Sequence, residues 1–169
     1  MKHEPYIITI RPAVPADLPR IMEIEYDAFP PEEAAEPSTY QFRLENLGEW
    51  FFAAEVDGKV AGCINGRTTD RDSIDDSLYE RKMQEGGAYF ALLSVETDSA
   101  CRGQGIGTAL IQTVIEKAKD AELEGIILAC KEEKISYYDQ FGFVLKGKSH
   151  SGHGGAVWYD MILKLKQVL

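Results

Sequence analysis

The sequence predicts a mixed α/β fold, and three observations carry that expectation. Short apolar runs bounded by turn residues recur along the chain in the manner of about seven strands. Between them lie about four stretches with apolar side chains at helical spacing. At the centre, an apolar strand, a glycine-rich turn, an apolar-faced helix and a second apolar strand follow in succession. That order is a strand–helix–strand unit within a sheet covered by helices.

Taken in order, Ile8-Thr9-Ile10-Arg11 alternates and closes at Pro12, a first strand. Leu18, Ile21, Ile24 and Phe29 then mark one face of a helix, ended by Pro30-Pro31. A polar segment, Glu32 to Ser38, leads to a helix over Thr39 to Leu47. Two apolar runs, Trp50 to Val56 and Lys59 to Gly66, flank Asp57-Gly58. That dipeptide suits a type I′ hairpin turn, which needs positive φ at both central residues. Residues 67–87 are rich in Asp and Glu, which predicts a surface loop with one short helix over Ile74 to Met83. Ala88 to Thr97 is an apolar strand and leads into the glycine turn. The next helix carries Ile106, Leu110, Val114 and Ala118 on one face and ends at Glu124-Gly125. Ile126 to Cys130 is a buried strand, and a short helix over Ile135 to Phe141 stops at Gly142. Phe143-Val144-Leu145 and Val157 to Leu165 close the pattern as strands, separated by a mobile loop, Gly147 to Gly155.

The 169 residues suit a single domain, 1–169, and the composition of 44% hydrophobic and 27% charged residues is that of a globular chain. No apolar run is long enough to span a bilayer. Met1-Lys2-His3-Glu4-Pro5 has no basic stretch ahead of an apolar core, so no leader is expected and the expected location is cytoplasmic. Cys63, Cys101 and Cys130, an odd number without motif spacing, read as reduced thiols. A net charge of −10 repels nucleic acid and anionic membranes, and it attracts a cationic substrate such as an amine.

The turn Arg102-Gly103-Gln104-Gly105-Ile106-Gly107 holds the clearest chemistry. Glycines after a buried strand let phosphate approach the backbone, and the free N–H groups and dipole of the following helix favour its charge. A Walker loop would need Lys before Ser/Thr, and Gly107-Thr108 lacks it. A dinucleotide fingerprint would need Gly-x-Gly-x-x-Gly, and three strands precede this turn where that motif opens its domain.

Arg102-x-x-Gly105-x-Gly107 resembles the Gln/Arg-x-x-Gly-x-Gly/Ala pyrophosphate motif of the GNAT acetyltransferase superfamily. Ser94-Val95-Glu96-Thr97 stands where that family's fourth strand meets the motif. Ser136 to Phe143 resembles its later Tyr-x-x-x-Gly-Phe segment. The resemblance covers nearly the whole chain and implies a GNAT fold, with a fourth and fifth strand that splay apart. Within the superfamily, Phe29-Pro30-Pro31-Glu32-Glu33-Ala34-Ala35, Trp50-Phe51 and Cys130 resemble arylalkylamine (serotonin) N-acetyltransferases.

That likeness implies acetyl-CoA as cosubstrate and a primary amine, an arylalkylamine-like small molecule, as acceptor, joined by direct attack in a ternary complex. Cofactor contacts fall on Val95, Glu96, Thr97, Arg102, Gly103, Gln104, Gly105, Ile106, Gly107, Thr108 and Tyr138. The N–H of Val95 would meet the acetyl oxygen and that of Thr97 the pantetheine arm. An alternative register uses Leu93-Ser94-Val95 at the cost of two inserted residues. Tyr138 matches the family's general acid, since a phenol stays protonated at neutral pH. Vertebrate serotonin acetyltransferases carry two histidines on the fourth strand; Tyr89 to Ser94 has none. Glu33 matches the glutamate assigned as base in insect members, with Glu32 second. No metal is expected: His150 and His153 have no Cys, Asp or Glu close in sequence to complete a shell. Two further readings stay open, a non-catalytic acetyl-CoA sensing module and a transferase acting on a protein N-terminus or lysine. A homodimer paired through the exposed final strand also stays open.

Overall fold

A computed structural model describes residues 7–82 and 86–165. Met1–Pro5 and the expected end of a helix at Met83 lie outside these described residues.

The sheet has seven strands in the order β1-β2-β3-β4-β5-β7-β6: β1 Ile8–Pro12, β2 Phe51–Val56, β3 Lys59–Thr69, β4 Tyr89–Thr97, β5 Gly125–Cys130, β6 Val144–Lys148 and β7 Tyr159–Lys164. Four α-helices accompany it, α1 Leu18–Ala28, α2 Pro37–Asn46, α3 Ile106–Asp120 and α4 Ile135–Asp139. The expected α/β class is therefore the observed one. Residues cluster into two compact units. One comprises the chain up to Asn65 with Ser94–Val114, the other Gly66–Leu93 with the chain from Ile115.

In the first unit, β1 pairs with β2 and β2 with β3, all antiparallel. The β2–β3 turn holds Asp57 at φ 54° and Gly58 at φ 75°, the paired positive values the dipeptide foretold. One face of these strands is packed by α1 and α2, where Ile21, Ile24, Tyr40, Leu44, Phe51, Ala53 and Cys63 are buried. Arg11 clamps the entry to α1. Its guanidinium donates to both oxygens of Asp17, at 2.8 and 2.9 Å, and to Glu55 at 2.8 Å. The same pair pushes the Asp17 carboxyl below its ordinary value.

In the second unit, β4 runs parallel to β5 for three pairs, Tyr89↔Gly125 to Ala91↔Ile127. β5 goes on pairing with β7 as far as Cys130↔Tyr159. The β4–β5 ladder is thus short beside the β5–β7 ladder. Ile74, Leu78, Ala91, Ile127 and Ile162 form this unit's core.

Several expectations are corrected here. The acidic segment after β3 folds around a cation. Arg67, 1% exposed, donates to the carbonyls of Leu78 at 3.4 Å, Glu80 at 3.1 Å and Lys82, so the segment is anchored along its length. Its expected helix is a single 3-10 turn, Asp76–Tyr79, capped by the Asp75 side chain. The loop from Gly147 is likewise tied down. Ser151 Oγ donates to Asp76 at 2.6 Å, and His153 stacks on Tyr79 with ring centroids 5.8 Å apart. The final strand is not an exposed edge, because β7 is paired by β5 on one side and β6 on the other. That removes the reason given for dimer pairing through Val157 to Leu165; the edge strand at this end of the sheet is β6.

Candidate functional site

The first unit carries the anion-binding geometry. β4 ends at Thr97, Asp98 caps a 3-10 turn at Ser99–Cys101 by accepting from Ala100 N–H at 3.0 Å, and the glycine turn follows. Gly103 at φ 81° and Gly105 at φ 83° hold the left-handed conformation, and open space surrounds the position of a Cβ at both. The glycines are thus required by backbone conformation, not by crowding. Arg102, Gly103, Gln104 and Gly105 are exposed, while Ile106 turns into the core at 1% exposure. Ala109 N–H makes the opening helical bond, to Gly105 at 3.0 Å. The N–H groups of Ile106, Gly107 and Thr108 precede it and so have no acceptor within the helix. Oriented donors at the start of a fifteen-residue helix, beside the exposed turn, suit a pyrophosphate.

The turn is braced from α1. Arg20 Nε donates to the Val60 carbonyl at 2.8 Å, its Nη2 pairs with Asp98, and Asp98 N–H donates to Ala61 O at 2.8 Å. The Ala100 N–H, with Arg20 adding to it, holds the Asp98 carboxyl below its ordinary value against the opposing effect of burial.

Along β4, Ser94, Val95 and Thr97 are half-buried and Glu96 is 4% exposed. Its side chain turns inward, where Cys63 Sγ donates to Oε1 at 3.3 Å. Any contact of Glu96 with a cofactor is therefore left to its backbone. The expected Val95 and Thr97 donors lie on this half-buried stretch.

Behind Glu96 is a buried acidic network that sequence reasoning missed. Glu25 of α1, 3% exposed, accepts from Ala35 N–H at 3.1 Å and from Tyr40 Oη at 2.9 Å. Tyr40 Oη also bonds Ser94 Oγ at 2.8 Å. Arg43 lies 5.4 Å over the Tyr40 ring and donates to Asn65 Oδ1 at 3.0 Å. Burial, and then the neighbouring Glu25 carboxyl, push Glu96 up to about 10, so it holds a proton at neutral pH. Its Oε2 has no other hydrogen-bond partner among the described residues. Burial likewise pushes the Cys63 thiol and the Tyr40 phenol well up. A signal was there to find: Glu25 stands four residues after Ile21 on an apolar helix face, and Glu96 continues the inward alternation of Phe90 and Leu92.

The two expected proton-transfer residues fall in different units. Glu33 lies in the first, 7% exposed, in a turn whose N–H groups at Glu33 and Ala34 both bond the Pro30 carbonyl at 2.9 Å. Two residues on, Ala35 N–H reaches Glu25, so this turn is tethered to the buried carboxyl. Tyr138 lies in the second unit on α4, 8% exposed, edge-on to Tyr137 at 5.2 Å and Phe143 at 5.8 Å. Burial, and then Cys130, raise its phenol well above the ordinary value, so it remains a donor across the physiological range. Cys130 is pushed up to about 11, mainly by burial, which makes it a packing thiol and not a nucleophile.

Comparison with known proteins identifies the family. The model of the acetyltransferase (GNAT) family matches residues 18–143. N-acetyltransferase 8B of Homo sapiens is 30% identical over 109 residues, 63% of this chain and 43% of that protein. A probable glucosamine 6-phosphate N-acetyltransferase 2 of Oryza sativa is 39% identical over 69 residues, 40% of this chain and 42% of that protein. The matches thus span less than half the length of these relatives. Among solved structures, the GphF GNAT-like decarboxylase in complex with isobutyryl-CoA superposes with a TM-score of 0.82 at 16% identity, covering 94% of this chain and all of that one. Salmonella typhimurium yncA, solved with its cofactor acetyl-CoA, gives 0.68 at 18% identity over 95% of each chain. Likeness at these identities is one of fold. Among the described residues, no helix is long and apolar enough to cross a membrane.

Proposed function

Since the chain belongs to the acetyltransferase (GNAT) family, we propose that it transfers the acetyl group of acetyl-CoA to a primary amine, an arylalkylamine-like small molecule. The observation that carries this reading is the exposed turn at Gly103 and Gly105, with free N–H groups at the start of α3.

Arg102 and the N–H groups of Ile106, Gly107 and Thr108 take the pyrophosphate. The N–H of Thr97 takes the pantetheine arm. The N–H of Val95 meets the acetyl oxygen, and a preorganised donor there supplies about 3 kcal/mol as charge develops on that oxygen. The amine nitrogen, once neutral, attacks the carbonyl carbon, and the carbon–sulfur bond breaks. Tyr138 gives its proton to the departing thiolate and is reprotonated from water. The amine proton passes to a carboxylate of the first unit, and the resemblance carries that role over to Glu33. The net charge of −10 favours a cationic acceptor over an anionic one, and the Phe29–Ala35 segment supports an arylalkylamine.

Purified protein supplied with acetyl-CoA and a panel of arylalkylamines, polyamines and amino acids is expected to release thiol in an amine-dependent manner. Tight acetyl-CoA binding without release on any acceptor would reject transfer and leave a sensing module.

A further inference from the structure

The acidic network contains a directional chain of hydrogen bonds that ends at a half-buried hydroxyl. We propose that Ser94, Tyr40 and Glu25 form a proton relay that takes the amine proton into the interior of the first unit, in place of direct transfer to Glu33. The inference rests on the acetyl-transfer reading and names the base within it.

The geometry sets the direction. Tyr40 has a single hydroxyl proton, and it is directed at Glu25 Oε2 over 2.9 Å. The 2.8 Å bond between Tyr40 Oη and Ser94 Oγ must then be donated by Ser94. Ser94 Oγ keeps lone-pair capacity for an N–H, and it is the half-buried member of a chain whose other two are buried. It also precedes Val95, whose N–H is assigned to the acetyl oxygen, by one residue. Every member is thus poised to accept from the solvent side and donate inward.

The proton balance is simple. The substrate ammonium gives one proton to Ser94 Oγ, the Ser94 proton moves to Tyr40 Oη, and the Tyr40 proton moves to Glu25 Oε2. The N–H bond breaks, an O–H bond forms on Glu25, and the nitrogen keeps the electron pair that attacks the carbonyl. No electron changes hands. Glu25 returns its proton to water by the same chain after product leaves.

The surroundings keep Glu25 as the acceptor. From β4, Glu96 faces it as the protonated partner, so Glu96 does not compete for the proton. From α2, Arg43 and Tyr40 face it, and from β3 Cys63 stands as a neutral thiol beside Glu96. Ala35 N–H fixes its other oxygen at 3.1 Å.

The test compares Tyr40→Phe, Ser94→Ala and Glu33→Gln with the parent, using the amine of the panel turned over fastest. Calorimetric binding of CoA first establishes that each variant is folded; Ser94→Ala serves if Tyr40→Phe is not. The relay predicts that Tyr40→Phe and Ser94→Ala lose about 10²-fold in kcat/KM at pH 7. It also predicts that the loss shrinks as pH rises toward 10, where a growing share of the amine is already neutral, because a missing base matters only while a proton must be removed. A loss of equal size at both pH values, or no loss, would overturn the relay. So would a pH-dependent loss confined to Glu33→Gln. In each of those cases acetyl transfer stands, whereas failure of the parent to acetylate any amine would overturn both.

Discussion

Tyr40 Oη donates to Glu25 Oε2 over 2.9 Å, with Tyr40 fully buried and Glu25 3% exposed. A phenol on α2 thereby satisfies a carboxylate on α1 that would be costly to bury alone. The second carboxyl of the cluster, Glu96, is accommodated by keeping its proton. This part of the first unit is consequently sensitive to pH.

Folded Glu96 holds its proton up to about pH 10, whereas an unfolded glutamate loses it near 4.3. Between those values the folded chain binds more protons, so stability falls as pH rises. Denaturant melts of the parent at pH 6 and pH 9 should show the lower stability at pH 9. Glu96→Gln, neutral throughout, should flatten that slope and stabilise the chain by about 1–3 kcal/mol at pH 9. An unchanged slope would mean that Glu96 is ionised in the fold.

Asp17 has the opposite sign. The Arg11 guanidinium holds its carboxyl below the ordinary value, so its contribution is present at neutral pH and is lost as pH falls below about 4. Asp17→Asn should cost about 1–2 kcal/mol at pH 7, because the bidentate pair is only partly exposed and Val14 N–H also loses its acceptor. The difference between parent and variant should narrow toward pH 3. A difference constant with pH would argue against the ion pair.

Gly105→Ala places a Cβ at φ 83° in open space, so the penalty is conformational, about 1–2 kcal/mol. The turn can relax by re-aiming its N–H groups. CoA affinity should then fall by about tenfold or more while the melting temperature drops by only a few degrees. Full CoA affinity in the variant would detach the turn from pyrophosphate binding.

Tyr138→Phe keeps the ring packing against Tyr137 and Phe143 and removes the proton donor. Turnover should drop about 10²-fold, with CoA affinity within a few-fold of the parent. A variant as active as the parent would assign the departing thiolate's proton to another donor.

Much of the fold was legible because local chemistry and tertiary context agree. Asp57-Gly58 can adopt the two positive φ values a tight hairpin needs, and Gly103 and Gly105 announce a backbone that other residues resist. Less was legible where a single residue organises distant chain. Arg67 sits in an apolar run and gathers carbonyls eleven to fifteen residues on, which turned an expected loop into an anchored segment. The order β5-β7-β6 hides the last strand between two others, a pairing that strand periodicity does not encode. Glu25 and Glu96 are distant in sequence, and their shared burial follows from how α1 packs on the strands. Periodicity marks each as inward-facing but does not bring the two together.

The most direct test of the central claim is the mass of the product. Purified protein, acetyl-CoA and the amine panel are incubated together, and the amines are weighed by mass spectrometry. The account predicts at least one amine heavier by a single acetyl group, formed in step with free CoA. Free CoA accumulating beside unmodified amines, or acetyl-CoA remaining intact on the protein, would contradict it.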